Sequence, residues 1–420
     1  MAVTLSADVV VIGAGLAGLA AARHLCVHGV NVEVLEASNQ VGGRVRTDHI
    51  DGLTMDHGFQ VYNPSYPEAA RVLDHKALDL HPLTAGIGIR LGPNRLARLG
   101  DPRKNLVLGL GSLGLATGSP LSKAKFARYA IAAARSPISE LEQRPDITAV
   151  AALEAAGIDS LLLDRVVRPF LTGVFLEPDL LTSRRFMDLV LRSFVRGTPS
   201  LPSAGMQSIP EQLHQALPAG TVRLNCAVVK VNNKSVTTTD DGRVSTKLVI
   251  IATDPLTAQT LIPGVIAPAG RSVTTWYHLA DTAPAALAFG DSLLLVDANQ
   301  NGPVINTVVL TSAVASYANP GQVLVSSSTL GLDTSTGAAQ GVRDHLARLY
   351  GVATQGWQEV GVYPIKYALP AMQPPFQIQS PIEFGHTLVA GDHRDSGSIQ
   401  GAMVSGRRTA QRALELLDLR

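Results

Sequence analysis

The segment that decides the fold is Asp8–Glu36, which reads DVVVIGAGLAGLAAARHLCVHGVNVEVLE. Its apolar start, Asp8–Ile12, is typical of a short buried strand. An alanine-rich helix follows to about His28, and Val32–Glu36 has the pattern of a second strand. A strand, tight turn, helix and strand in this order predict the beginning of a parallel sheet with a right-handed crossover.

Three glycines occupy the turn between that strand and that helix. Gly13 allows the tight turn, Gly15 lets a diphosphate approach the backbone, and Gly18 lets the helix pack on the sheet. The helix N-terminus offers free backbone N–H groups, which bind anions. Glu36 follows about 20 residues further on, where a carboxylate accepts hydrogen bonds from ribose hydroxyls and repels a 2′-phosphate. The spacing therefore predicts a dinucleotide site and disfavours NADP.

The residues after Glu36 narrow the choice of dinucleotide. They read ASNQVGGRVRT, and an acidic residue followed by this run resembles the extended flavin signature of the flavin-containing amine oxidase superfamily. That superfamily includes monoamine oxidases, protoporphyrinogen oxidases and phytoene desaturases. The resemblance implies FAD as the cofactor, with Gly42 and Gly43 passing close to the diphosphate and Arg44 supplying a positive charge near it.

Motifs similar to those of this superfamily recur further along the chain. The resemblance implies that Gly58 lies beside the isoalloxazine ring and that the backbone at Val228 meets the adenine. It also implies that Asp392, directly after Gly391, binds the ribityl chain, and that a helix beginning at Ile399 points its N-terminus at the pyrimidine ring of the flavin. A helix N-terminus stabilises the negative charge that a reduced flavin carries there.

Two shorter runs are similar to a phytoene-desaturase-like branch of the superfamily, Asp56–Val61 and Pro169–Leu176. The resemblance also implies that the flavin is bound noncovalently. Neither cysteine, Cys26 or Cys226, lies in the tail segment where thioether-linked relatives carry theirs.

The composition excludes several classes of function. The 46% hydrophobic content suits a large core, whereas the charged content of 16% is below the roughly 25% typical of soluble domains. The 35 basic and 34 acidic side chains give no net field for nucleic acid. Two cysteines without paired spacing predict neither a metal site nor a disulfide framework.

The chain shows no pattern of export or membrane insertion. The apolar stretch Leu106–Ala116 is interrupted by glycines and is shorter than the roughly 20 residues that span a bilayer. No basic segment precedes the apolar run at the start, unlike in a signal peptide. The sequence therefore predicts a cytoplasmic protein without a transmembrane helix.

The pattern of elements predicts an α/β fold with two domains. We expect a Rossmann-type FAD-binding domain assembled from the discontinuous segments 1–80, 205–265 and 380–420. The remaining segments, 81–204 and 266–379, are expected to form an α+β substrate-binding domain. Helical spacing through the first of these segments predicts that this domain carries a helical cap.

The resemblance implies that the protein transfers a hydride between its substrate and flavin N5. Two departures from the amine oxidases point to an apolar substrate and a carbon–carbon bond. Amine oxidases usually carry a lysine, water-bridged to flavin N5, on a strand that matches Ser272–His278, and this chain has none there. They also carry an aromatic cage beside the flavin, whereas the residues after Asp392 include no aromatic except His393.

Four residues are candidates for a catalytic role. Lys366, with Tyr363 and Tyr367 on either side, precedes a segment that approaches the substrate face of the flavin in similar proteins. A lysine here could replace the missing one, although a solvent-facing strand lysine fits the pattern equally well. His57 is the fourth candidate, with a structural hydrogen-bonding role as the alternative.

Two other functions remain open from the sequence. One is a flavin amine oxidase that acts on a C–N bond, and the other is a non-enzymatic lipid-binding protein, because Rab escort and GDP-dissociation inhibitor proteins share the fold that the resemblance implies. The segment from Ser122 to Arg135 is basic on one side and apolar on another, so peripheral membrane contact is a further possibility. The sequence does not indicate an oligomeric state.

Overall fold

The computed structural model describes residues 5–100, 104, 108–109, 114–240, 242–379 and 381–418. Most of the predicted apolar stretch Leu106–Ala116 therefore lies outside the described residues. Within them, two large sheets and a group of helices make up the molecule.

An eight-stranded sheet contains the first predicted strand. Its strands are β1 Leu5–Ile12, β2 Val32–Leu35, β9 Val222–Arg223, β10 Val228–Asn232, β11 Ser235–Thr238, β12 Arg243–Ile251, β18 Ile382–Phe384 and β19 Thr387–Val389. Five of them run parallel in the order β9, β2, β1, β12, β19. Strand β1 lies at the centre, which explains its continuous apolar run, because a strand covered on both faces has no polar side.

The second large sheet has seven strands in the order β17, β13, β16, β15, β14, β6, β7. Their bounds are β6 Gly86–Gly92, β7 Arg95–Gly100, β13 Gly270–Ala280, β14 Leu294–Asp297, β15 Val304–Val309, β16 Val323–Leu330 and β17 Gln358–Pro370. All neighbours pair antiparallel except β14 and β6. Two small antiparallel pairs complete the strands, β3 Thr47–Ile50 with β4 Leu53–Asp56 and β5 Leu80–Pro82 with β8 Ser200–Pro202.

The described helices fall into three groups by position. Those of the eight-stranded sheet and its loops are α1 Leu16–Val27, α2 Pro67–Val72, α9 Ser208–Gln215, α10 Pro255–Leu261 and α12 Ile399–Leu416. The helices that lie between β7 and β8 in the chain are α3 Pro120–Arg135, α4 Ile138–Gln143, α5 Ala149–Ala155, α6 Ser160–Leu162, α7 Arg168–Phe175 and α8 Arg184–Arg196. The third group is α11 Thr336–Tyr350 alone.

The helices α3 to α8 cover the seven-stranded sheet. One cluster of buried side chains joins them to the sheet through Ile89, Leu99 and Val296. A π-helical turn, Leu163–Val167, connects α6 to α7, and α7 packs against β15. This arrangement positions the residues of α7 opposite the central strands of the sheet.

The predicted fold class is confirmed, with a parallel sheet whose strands come from separated parts of the chain and an antiparallel sheet beneath helices. The domain limits given above stay predictions. Helix α11 begins at Thr336, because the Ser335 side chain caps it by accepting from the Ala338 N–H. Strand β17 is long because it pairs along almost all of β13, a contact that local pattern does not predict.

None of the described helices combines the length and the apolar character needed to cross a membrane.

Candidate functional site

A cavity of about 1800 Å³ extends from the carboxyl ends of the parallel strands to the space between α7 and the seven-stranded sheet. Pockets that hold one small molecule usually measure roughly 300–1,000 Å³. The volume here is sufficient for a dinucleotide and a second ligand together. One end is lined by the glycine-rich motifs and the other mainly by apolar side chains.

The first glycine loop forms the wall of the cavity after β1. Gly13 has φ of +99°, a conformation that favours glycine. A Cβ on Gly18 would lie 1.9 Å from the Gly13 carbonyl oxygen, so this glycine lets α1 reach the sheet. A Cβ on Gly15 would meet nothing within 4 Å. Gly15 is also the N-cap of α1 and gives no side-chain cap, which leaves the first N–H groups of the helix free for an anion.

A second glycine loop packs on the first. The Gly42 N–H donates to the Ala14 carbonyl at 2.8 Å, and Gly42 pairs with Gly15 in an isolated bridge. A Cβ on Gly43 would approach the Gly15 Cα to 3.4 Å. Side chains at these positions would fill the space between the loops, so the two loops form a backbone-lined groove of the kind a diphosphate requires.

Glu36 stands at the carboxyl end of β2 and lines the cavity. Its Oε2 accepts from the Ala14 N–H at 2.6 Å, and its Oε1 accepts from the Ser38 N–H at 2.9 Å and from the Ser38 hydroxyl at 2.8 Å. These bonds hold the carboxylate in place beside the first glycine loop. A carboxylate has about four lone-pair sites, so it retains capacity for a ribose hydroxyl.

Arg44 connects the two ends of the cavity. Its guanidinium donates to the Asp392 carboxylate at 2.7 Å and to the carbonyl of Ala368, near the end of β17, at 3.0 Å. Burial alone would lower the pKa of Arg44, but the Asp392 carboxylate outweighs that effect and raises the pKa above its usual value. The side chain stays charged in a partly buried position, where a cation suits both a carboxylate and a phosphate.

The last part of the chain closes the dinucleotide end. Gly391 and Asp392 follow β19 and line the cavity, as does Ile399 at the start of α12. The Ser398 hydroxyl caps α12 by accepting from the Gly401 N–H. A Cβ on Gly406 would lie 2.1 Å from the Ala17 carbonyl, so α12 packs closely on α1. This contact brings the N-termini of both helices to one cavity.

Eleven of the twelve predicted cofactor residues line this cavity: Gly13, Gly15, Glu36, Gly42, Gly43, Arg44, Gly58, Val228, Gly391, Asp392 and Ile399. Gly18 does not line it and instead supports the loop from behind. The backbone loops, the free helix N-terminus and the carboxylate at β2 fit an adenosine diphosphate group. The individual binding roles stay predictions.

The structure does not place Lys366 at the cavity. Lys366 is exposed, whereas its neighbour Ile365 lines the cavity, because successive strand residues point to opposite faces of a sheet. Tyr367 is also absent from the lining, and its hydroxyl donates to the Pro268 carbonyl at 3.2 Å. The exposure of Lys366 fits its solvent-facing alternative, and the catalytic roles of both residues stay predictions.

Tyr363 and His57 meet at Asp48, which the sequence did not single out. The Tyr363 hydroxyl donates to Asp48 Oδ2 at 3.1 Å, and His57 Nε2 lies 3.0 Å from the same oxygen. The two rings pack with centroids 4.6 Å apart. Burial, and to a smaller extent the negative charge of Asp48, raises the pKa of Tyr363. Only His57 of the three lines the cavity, so this cluster orients the turn before Gly58.

Other residues in the cavity lining or directly behind it were missed because they belong to separate strands. The Phe59 N–H donates to the Thr275 hydroxyl at 3.2 Å, which joins the Gly58 turn to β13. Asn306 on β15 and Ser328 on β16 are polar side chains that line the mainly apolar end. The sequence did offer one signal, an asparagine within the apolar strand Val304–Val309. The face of the sheet that this asparagine occupies depends on strand pairing, so the sequence alone did not place it in the cavity.

No group of three or more histidine, cysteine, aspartate or glutamate side chains within the described residues is arranged to hold a metal ion.

Sequence comparison shows which known proteins this chain is similar to. The family model described as flavin containing amine oxidoreductase matches residues 16–414. Putrescine oxidase of Kocuria rosea is 43% identical over 74 residues, which are 18% of this chain and 16% of that protein. Coproporphyrinogen III oxidase of Mycobacterium tuberculosis is 27% identical over 214 residues, 50% of this chain and 45% of that protein. The matched segments thus span less than half the length of these relatives.

Structural comparison extends over nearly the whole chain. A structure of putrescine oxidase bound to putrescine superposes with a TM-score of 0.71 at 19% identity, covering 98% of this chain and 100% of that chain. At this level of identity the likeness concerns the fold. None of these comparisons singles out the phytoene-desaturase-like branch.

Proposed function

Because this chain belongs to the flavin containing amine oxidoreductase family, we propose that it is an FAD-dependent oxidoreductase acting on a largely apolar, uncharged substrate at a carbon–carbon bond. The observation that carries the proposal is the single cavity in which a dinucleotide groove continues into an apolar chamber. The chamber lies under α7 and over the seven-stranded sheet.

The residues of the groove would hold the cofactor. The N-terminus of α1 and the loop at Gly42 would bind the diphosphate, Glu36 the adenosine ribose, and Asp392 the ribityl chain. Bound flavin supplies the redox chemistry by exchanging two electrons with the substrate. The protein contributes orientation, the fixed charge of Arg44 and exclusion of water.

The chamber does not favour a cationic ligand. The carboxylates along the described lining belong to Glu36, Glu142, Asp254, Asp392 and Asp395. None of these stands on the seven-stranded sheet or on α7, and Asp392 is paired with Arg44. Moving a cation out of water without a counter-charge is costly. Apolar burial of about 25 cal/mol per Å² binds a hydrocarbon body without such a charge.

Oxidation of a C–N bond is the second candidate, and the structural likeness to putrescine oxidase favours it. The two reactions make opposite demands on the chamber. A protonated amine requires a carboxylate or an aromatic cage, whereas an isoprenoid or porphyrinogen-like compound requires apolar area.

The experiment is anaerobic mixing of the purified yellow protein with two panels of compounds while flavin absorbance is recorded. One panel contains isoprenoid and porphyrinogen-like compounds, and the other contains primary and secondary amines. We expect bleaching only with the first panel, or reoxidation of chemically reduced flavin by an unsaturated member of it. Bleaching by simple amines would establish the C–N reaction instead, and protein without FAD would overturn the proposal as a whole.

Peripheral contact of α3 with a membrane is a separate proposal. Leu121 at the start of α3 is 67% exposed, and α3 carries basic side chains. Sedimentation with anionic lipid vesicles, compared with Leu121→Ser, would test it. Binding that does not depend on Leu121 would contradict it.

A further inference from the structure

Two neighbouring polar side chains in the apolar chamber form no hydrogen bond with any residue that the structure describes. Asn306 on β15 and Ser328 on β16 are directly opposite residues of the sheet, so their side chains share one face. They are 5% and 2% exposed, and both line the cavity. Within the described residues neither side chain makes a hydrogen bond to the protein.

The unpartnered amide is informative because buried polar groups are normally paired. The amide of Asn306 is accessible from the cavity and is not sealed inside the protein, so a ligand in the chamber can supply the partner that the described residues do not. Gly173 on α7 provides the space for this amide. A Cβ at Gly173 would lie 2.3 Å from Asn306 Nδ2. Any larger residue there would displace the amide from its position over the chamber.

Apolar side chains surround the pair and offer a cation no counter-charge. Phe170 and Val174 on α7 and Leu294 on β14 line the same chamber. The two side chains together offer donors and acceptors but carry no charge. Such a pair complements a neutral oxygen that accepts or donates a hydrogen bond, and it gives a cation no compensating charge.

We propose that Asn306 and Ser328 bind an uncharged oxygen function, a hydroxyl, ketone or amide, on the otherwise apolar substrate. The inference rests on the proposed function, whose substrate class it narrows. Register places Ser328 between Asn306 and Thr275 across three adjacent strands, and Thr275 binds the turn at Gly58. Asn306 and Thr275 are two strand spacings apart, about 10 Å. The bound oxygen is therefore several atoms from the part of the substrate near Gly58.

The test uses four probes with one carbon skeleton: 1,2-diphenylethane, its alcohol 1,2-diphenylethanol, its ketone deoxybenzoin and its amine 1,2-diphenylethylamine. Each is titrated into the FAD-loaded protein, and dissociation constants are read from the change in flavin absorbance and from calorimetry. We expect the alcohol and the ketone to bind about five-fold more tightly than the hydrocarbon, the gain of one net hydrogen bond. The protonated amine should bind most weakly.

Asn306→Leu keeps the approximate shape of the side chain and should remove the advantage of the alcohol and ketone while leaving hydrocarbon binding equal or tighter. Asn233→Leu, at an exposed turn, is the control and should retain the wild-type order. If Asn306→Leu does not fold with its FAD, Ser328→Ala answers the same question with a smaller change.

Equal affinities for alcohol, ketone and hydrocarbon, tightest binding of the amine, no binding of any probe, or an unchanged order in Asn306→Leu and Ser328→Ala would each overturn the inference. These results concern ligand preference in protein that contains FAD. Failure of the proposed function is distinct, because it appears as absent FAD or as bleaching by the amine panel.

Discussion

At the dinucleotide end of the cavity the main charged side chains already have partners, whereas within the described residues the side chains of Asn306 and Ser328 at the chamber end make no hydrogen bond. Glu36 accepts three hydrogen bonds, Arg44 is paired with Asp392, and the loops at Gly13 and Gly42 are in contact. The chamber instead has apolar walls around an open volume. The first region is preorganised for one ligand, and the second is complementary to a shape with few polar features.

This difference has a consequence for mutation. Backbone contacts at the dinucleotide end leave no room for adjustment, so small changes there should cost both FAD and stability. Side chains at the chamber end can move into free space, so changes there should alter ligand preference and leave FAD in place. The following variants test this contrast, from the largest expected effect to the smallest.

Gly18→Ala should have the largest effect. Its Cβ would lie 1.9 Å from the Gly13 carbonyl oxygen, and this atom belongs to the backbone and cannot move aside. We expect a loss of about 3 kcal/mol in the free energy of unfolding, measured with denaturant, together with loss of FAD. Gly341→Ala in α11 is the control, since it meets only ordinary contacts and should stabilise by up to about 1 kcal/mol. Equal behaviour of the two variants would contradict the close packing of α1.

Glu36→Ala should weaken FAD binding by about 1–3 kcal/mol, the usual cost of losing a hydrogen bond to a charged group. The measurement is the FAD dissociation constant of reconstituted protein. Glu359→Ala replaces an exposed glutamate of β17 and should leave that constant unchanged. Unaltered affinity in Glu36→Ala would show that the ribose is held by other groups.

Arg44→Met should affect both ends of the cavity, because Arg44 binds Asp392 and the carbonyl of Ala368. About a third of the Arg44 side chain is exposed, so we expect a moderate loss of about 1–2 kcal/mol in FAD affinity. Arg412→Met, which removes an exposed ion pair with Glu383, is the control and should retain all its FAD. If Arg44→Met has normal FAD content and normal probe binding, Arg44 does not couple the two regions of the cavity.

Gly173→Ala should have the smallest effect and the opposite pattern to Gly18→Ala. The added Cβ meets the end of the Asn306 side chain, which can rotate into the chamber. FAD content and unfolding free energy should therefore be retained, while the preference for alcohol and ketone probes over the hydrocarbon falls by less than about 1 kcal/mol. Loss of FAD in this variant would show that the chamber is packed as rigidly as the dinucleotide groove.

Local sequence was sufficient for the dinucleotide end. Gly13, Gly15, Gly18 and Glu36 are close in the chain, and the strand–turn–helix geometry that unites them depends on short-range backbone conformation. The predicted residues from the end of the chain, Gly391 among them, line the same cavity because strand β19 pairs with β12. That part of the prediction came from a resemblance, since no local rule brings the two segments together.

The chamber end was decided by tertiary structure. Lys366 and Ile365 are adjacent in sequence, and only the pairing of β17 with β13 determines which of them lines the cavity. A one-residue shift would exchange the two faces, because side chains alternate along a strand.

The sequence by itself therefore determined the fold class, the family resemblance and most of the groove for FAD, because these depend on backbone conformation within short segments. Tertiary structure alone decided that Asn306, Ser328 and Gly173, from two strands and a helix, come together in the lining of one chamber. The physical reason is that strand register and helix packing are set by long-range burial, which a local pattern of residues does not encode.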